Sequence, residues 1–237
     1  MDYHWGVTVE AVQRVRGAFE EALADFLSSA PVRRVLDGQI TEAHYKSYLR
    51  EVYFHTRDEP QLQAFVTAWF KGEDRALVRP FLKDAISEVG HDQFALNDLT
   101  RLGGIVDTIT TEFPLPTTVS LTSFAYWATQ FLNPVSYLGY QYFLEAVPTV
   151  SGAPIMQALR TAGVPDEAMT FISNDRFEAD VKLLDKYIET LVRTERDVID
   201  ITYVLKTTAK LYEVMVSGAF EAVDKPFARL TNMGETE

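Results

Sequence analysis

Carboxylates and imidazoles carry most of the chemistry this chain offers. Asp84, Glu88, His91 and Asp92 lie close together, and on a helix the 84–88–91 steps put three polar side chains on one stripe. Glu-x-x-His is the spacing by which helical bundles set a carboxylate and an imidazole on one metal ion. A solvated polar face shows the same spacing. Glu145 is the single formal charge between Glu112 and Arg160. A buried carboxylate without a partner is costly or stays protonated. Glu145 therefore calls for a metal, an arginine or a substrate cation, unless it lies wet at a helix end. Glu51 and His55 form a second carboxylate–imidazole pair one helical turn apart. Beside Tyr53 and Phe54, His55 reads as a half-buried hydrogen-bonded histidine or as a ligand. His4 and His44 read as chain-terminus and surface residues.

The rest of the composition narrows the field. The chain has no cysteine, which removes disulfides, thiolate metal sites and cysteine nucleophiles together. Its net charge of −12 over 237 residues argues against nucleic acid and anionic membranes as partners. No signal segment, Gly-rich phosphate loop, Walker motif or nucleophile elbow is visible. The expectation is a cytoplasmic protein that acts on a small molecule, as a homodimer.

The elements that must position these residues are helical. Val12, Val15, Phe19, Ala22, Leu23 and Phe26 fall at three- and four-residue steps and predict a first helix over 7–27. Thr41 reads as the N-cap of a second helix that bends near Asp58-Glu59-Pro60. A third runs from Arg75 to Leu102 and stops at Gly103-Gly104. Further helices are expected at about 120–147, 154–162, 166–194 and 196–223, separated by polar and proline-containing segments. The central one is rich in aromatics, among them Phe124, Tyr126, Trp127, Tyr137 and Tyr142. It is too polar for a membrane span, with Gln130, Asn133 and Gln141 inside it. No stretch alternates as a strand. The fold class is all-α, one domain over 1–237.

Taken together, the chain resembles the heme-oxygenase-like superfamily, in particular its TenA-like and iron-dependent oxidase branches. Pro31 through Thr41, with Tyr45 and Tyr48-Leu49, is similar to the turn and second helix of that superfamily. Glu88-Val89-Gly90-His91-Asp92 is similar to its metal-bearing helix, and Gly139 through Glu145 to its central helix. The resemblance implies a bundle of about seven to eight helices and an oxidase or oxygenase acting on a small organic substrate. It implies Glu88, His91 and Glu145 as iron ligands. The branch completes its site with His-x-x-x-Asp-x-x-His. Here that motif aligns with residues 176–183, where Asp180 is present and Arg176 and Leu183 stand in place of the histidines.

Two readings follow from the resemblance. Glu88, His91, Glu145 and Asp180 hold iron or manganese, with Tyr126, Trp127, Tyr137, Tyr142 and His55 walling the substrate pocket. Alternatively Arg176 pairs with Glu145 or Asp180 and the site is metal-free, a ligand pocket in which Glu145 and Arg176 do the work. A TenA-like protein of thiamine metabolism without its nucleophilic cysteine is a further relative. A heme oxygenase would need an axial histidine in the first helix, which has none over 7–27.

Overall fold

The computed structural model describes residues 4–173 and 177–226. Its α-helices are α1 (His4–Ser28), α2 (Ala30–Leu36), α3 (Glu42–Arg57), α4 (Glu59–Val66), α5 (Val78–Glu88), α6 (Asp92–Arg101), α7 (Val106–Thr111), α8 (Pro116–Phe131), α9 (Tyr137–Thr161), α10 (Phe177–Leu191) and α11 (Glu195–Asp224). Among the described residues there is no strand. The class is all-α, and one cluster of buried side chains runs through the bundle.

The apolar stripe of α1 is buried from Val12 to Phe26, as its period requires. α3 begins after Thr41, whose N–H donates to Nδ1 of His44 at 3.1 Å. His44 is therefore buried rather than a surface residue, and its Nε2 lies 3.0 Å from Asp224. α4 begins at Glu59 with Pro60 in its first turn, where the missing N–H costs nothing. α9 and α11 form the spine. They meet at Gly139, where a Cβ would stand 2.1 Å from the Ile201 carbonyl oxygen, so only glycine allows that approach.

Two long elements of the sequence reading are divided. The helix expected over 75–102 breaks between Glu88 and Asp92, because Gly90 takes φ 97°, a left-handed conformation that side-chain-bearing residues avoid. Glu88 thus ends α5 and His91 caps α6, so Glu-x-x-His spans a turn instead of one helical stripe. The helix expected over 120–147 breaks at Asn133-Pro134, where the Asn133 side chain accepts from the Val135 N–H at 3.1 Å. Conversely, α9 continues through Pro148 and Pro154 to Thr161, where the sequence predicted a separating segment. These divisions raise the helix count above the seven to eight expected.

Candidate functional site

α2, α3, α9 and α11 enclose a cavity of ≈ 130 Å³. Its body is apolar and aromatic, walled by residues such as Phe26, Val52, Ile155 and Phe220. Two phenols cross it: Tyr48 and Tyr212 share a hydrogen bond of 2.8 Å. Burial pushes the Tyr48 hydroxyl up to about 12 and Tyr212 well above its ordinary value, so both stay protonated.

Part of the lining is acidic. Glu59, Glu88, His91, Glu145 and Asp180 all line it. Each comes from a different place in the fold: the start of α4, the end of α5, the cap of α6, the middle of α9 and the first turn of α10. Glu88 is buried and its carboxylate contacts Nδ1 of His91. No lysine or arginine is found among the described lining residues. The acidic lining adjoins a tight recess, too narrow for a water molecule, bounded by Glu59, Gln63, Glu88, Tyr137, Gln141 and Glu145. Burial first, then the charges of Glu145 and Glu88, push the Glu59 carboxyl well above its usual range.

The recess is unusually rich in acceptors. Gln63 is 1% exposed, and its Nε2 donates to Asp84 at 2.7 Å. That bond fixes the amide so that Oε1 is the free end. Oε1 of Gln63 and Oε1 of Gln141 are buried with no hydrogen-bond partner among the described residues. Buried acceptors left unmatched cost about 1–3 kcal/mol each, and a cation or donor group would remove that cost.

His55 also lines the cavity. It is buried, 2.7 Å from the Tyr140 hydroxyl and 3.7 Å from Glu59. Desolvation lowers its pKa to about 4, so the imidazole is neutral at pH 7. Glu51 faces away from this cluster. It accepts from the Leu115 N–H at 2.9 Å and the Thr118 hydroxyl at 2.5 Å, tying α3 to the start of α8.

Of the aromatics expected in the pocket wall, Tyr137 bounds the recess, whereas Tyr126, Trp127 and Tyr142 are not among the residues that line either space. Trp127 is 42% exposed on α8, stacked on Phe124. Tyr126 packs on Phe65, and Tyr142 donates to Asp185 at 3.3 Å. Arg176 lies outside the described residues. Leu183 packs against the core.

Sequence reasoning did not single out Glu59, Gln63 or Gln141. Gln141 and Glu145 stand one helical turn apart in an apolar helix, a signal that was available. Glu59 reads as an ordinary acidic residue at a helix start.

The donor set can be tested against iron on its chemistry. Two or three carboxylates with one imidazole suit a single hard divalent ion, Fe(II) or Mn(II), and the unmatched acceptors of the recess suit positive charge. As the side chains stand, no group of three His, Asp or Glu among the described residues is gathered closely enough to hold an ion, so the carboxylates must swing inward to coordinate. In chemical kind the set suits one ion; it does not suit the six-ligand pair, because Leu183, packed against the core, carries no donor.

The family described as iron-containing redox enzyme matches residues 46–175. No curated protein matches the chain. A domain of unknown function with a heme oxygenase-like fold from Shewanella denitrificans OS217 is 24% identical, covers 91% of this chain and 94% of its own, and superposes with a TM-score of 0.80. A TenA homologue from Pyrococcus furiosus is 13% identical, covering 88% of this chain and 99% of its own, with a TM-score of 0.69. Another TenA homologue, from P. horikoshii OT3, is 12% identical over 89% of this chain and 98% of its own, with a TM-score of 0.72. These likenesses establish the heme-oxygenase-like fold. No described helix is long and apolar enough to cross a membrane.

Proposed function

The chain belongs to the iron-containing redox enzyme family, and on that premise we propose that it is an iron-dependent oxidase or oxygenase acting on a small organic molecule bound in the cavity. The observation that carries this reading is the convergence of Glu88, His91, Glu145 and Asp180, from separate elements, on the lining of one cavity. These four residues would hold a single ferrous ion, which would supply electrons for the reduction of dioxygen.

The remaining residues prepare the site. The apolar walls exclude water from the reacting end. The Tyr48–Tyr212 hydroxyl pair, protonated at neutral pH, offers one donor and one acceptor to a polar group of the substrate. His55 stays neutral, and so it does not compete with a bound cation for the carboxylates. Its bond to Tyr140 holds the ring in place at the junction of α3, α4 and α9.

A second reading, a metal-free small-molecule site with Arg176 turned into it, is favoured by a leucine at position 183, where the motif has a histidine, and by the spread of the donor side chains among the described residues. Anaerobic titration with Fe(II) separates the two. The oxidase reading expects about one equivalent bound, with protons released as the ligands are engaged, and its loss in His91→Ala. No uptake at micromolar iron establishes the second reading.

A further inference from the structure

The hydroxyl protons that line the main cavity are not all spent within the fold. Tyr45, Thr56 and Ser151 line it, and each donates to a main-chain carbonyl: Ala168 at 3.2 Å, Val52 at 2.8 Å and Val147 at 2.8 Å. Tyr48 and Tyr212 differ. Their hydroxyls bond to each other at 2.8 Å, and neither has a second hydrogen-bond partner among the described residues. Both phenols keep their protons at pH 7, and the shared bond uses one of the two. The other proton is left for whatever occupies the cavity, because a donor shut away from water without an acceptor is costly.

The surroundings of this donor narrow the acceptor. Rings flank the pair: Phe26 lies 5.7 Å from Tyr212, and Tyr45 stacks on Tyr48 at 6.3 Å. The space they border, ≈ 130 Å³, is close to the roughly 150 Å³ that admits a benzene ring. No lysine or arginine among the described lining residues would hold an anion, and Glu88, Glu145 and Asp180 on the same lining oppose one. An ammonium brings three donors and no acceptor, so it leaves the phenolic proton unmatched. An uncharged carbonyl or hydroxyl oxygen accepts that proton and brings no charge into the apolar chamber.

The geometry points to a small uncharged molecule, a single ring or short alkyl chain bearing one carbonyl or hydroxyl oxygen, as the ligand class of the cavity, its oxygen accepting from the Tyr48–Tyr212 pair. This rests on reading the cavity as the substrate site; it does not require that iron be bound. The two phenols lie outside the set proposed to hold the ion. They position the oxygen while the rest of the molecule fills the chamber.

The test is calorimetric binding of three probes of matched shape, acetophenone, cumene and benzoate, to chelator-treated protein at pH 7. The expected result is binding of the ketone about fivefold tighter than the hydrocarbon, the increment of one neutral hydrogen bond, and no binding of benzoate. The double variant Tyr48→Phe/Tyr212→Phe removes donor and partner together. It should bring acetophenone to the level of cumene and leave cumene unchanged; a preference that survives there overturns the assignment to the phenols. Equal affinity of the wild type for ketone and hydrocarbon overturns the inference, and so does preference for benzoate. The infrared carbonyl stretch of bound acetophenone reads the same contact without any variant. It should lie below its position in hexane, and a stretch at the hexane position overturns the inference. Ketone preference without iron uptake leaves this ligand class standing and removes the oxidase reading, whereas iron uptake without ketone preference does the reverse.

Discussion

Two sets of buried carboxylates in this bundle have opposite surroundings. Asp98 is fully buried on α6 and accepts from the Thr170 hydroxyl at 2.7 Å, the Phe171 N–H at 2.9 Å and the Arg101 guanidinium at 3.1 Å. Asp197, at the start of α11, accepts from the Arg193 and Thr194 N–H groups and from Asn133. In both places the fold supplies the donors, and the carboxylate ties one segment to another. Around Glu59 and Glu88 the fold supplies carboxylates and glutamine carbonyls instead, with His91 as the partner of Glu88. Carboxylates of the first kind hold the bundle together. Those of the second kind line a cavity together, with imidazoles as their neighbours.

The largest consequence concerns Asp98. Asp98→Ala leaves the Phe171 N–H, the Thr170 hydroxyl and Arg101 without their acceptor, and should cost about 3–5 kcal/mol in denaturant unfolding. A cost below about 1 kcal/mol would mean that Asp98 does not tie α6 to the segment of Thr170 and Phe171.

His55 adds a pH-dependent effect of order 3 kcal/mol. Its folded pKa, about 4, lies below the ordinary value of 6.5, so the unfolded chain binds the extra proton between those values. Stability from this group is complete above pH 6.5 and is lost as pH falls toward 4. Unfolding measured from pH 4 to 7 on wild type and His55→Gln should show a difference with that slope.

Glu59→Gln replaces a carboxyl that burial already pushes well above its usual range, and should change stability by no more than about 1 kcal/mol in denaturant unfolding. A loss as large as that of Asp98→Ala would make Glu59 a structural residue. Smallest of all, Trp127→Ser on the outside of α8 should alter stability by about 1 kcal/mol or less and leave binding unchanged.

Much of this arrangement could be read from residue order. The buried stripe of α1, the caps at Thr41 and the bend before Pro60 follow local rules that hold wherever such residues meet. The break at Gly90 was hidden because apolar residues on both sides keep helical spacing, and one glycine costs a helix only about 1 kcal/mol. α9 misled in the other direction, since Pro148 and Pro154 are tolerated where packing against α10 and α11 holds the helix. At the site, Glu88, His91 and Glu145 were legible because charge is scarce around them or their spacing is suggestive. Glu59 and Gln63 were not. Their chemistry comes from α4 folding back beside α5 and α9, a long-range proximity that no local spacing reports.

Glu88, His91, Glu145 and Asp180 are proposed to hold a single ion. Anomalous diffraction at the iron edge from crystals grown anaerobically with Fe(II) tests it most directly. One peak among Glu88, His91, Glu145 and Asp180 is the result expected. An iron-replete crystal with no peak there, and Arg176 lying against those carboxylates, would contradict it.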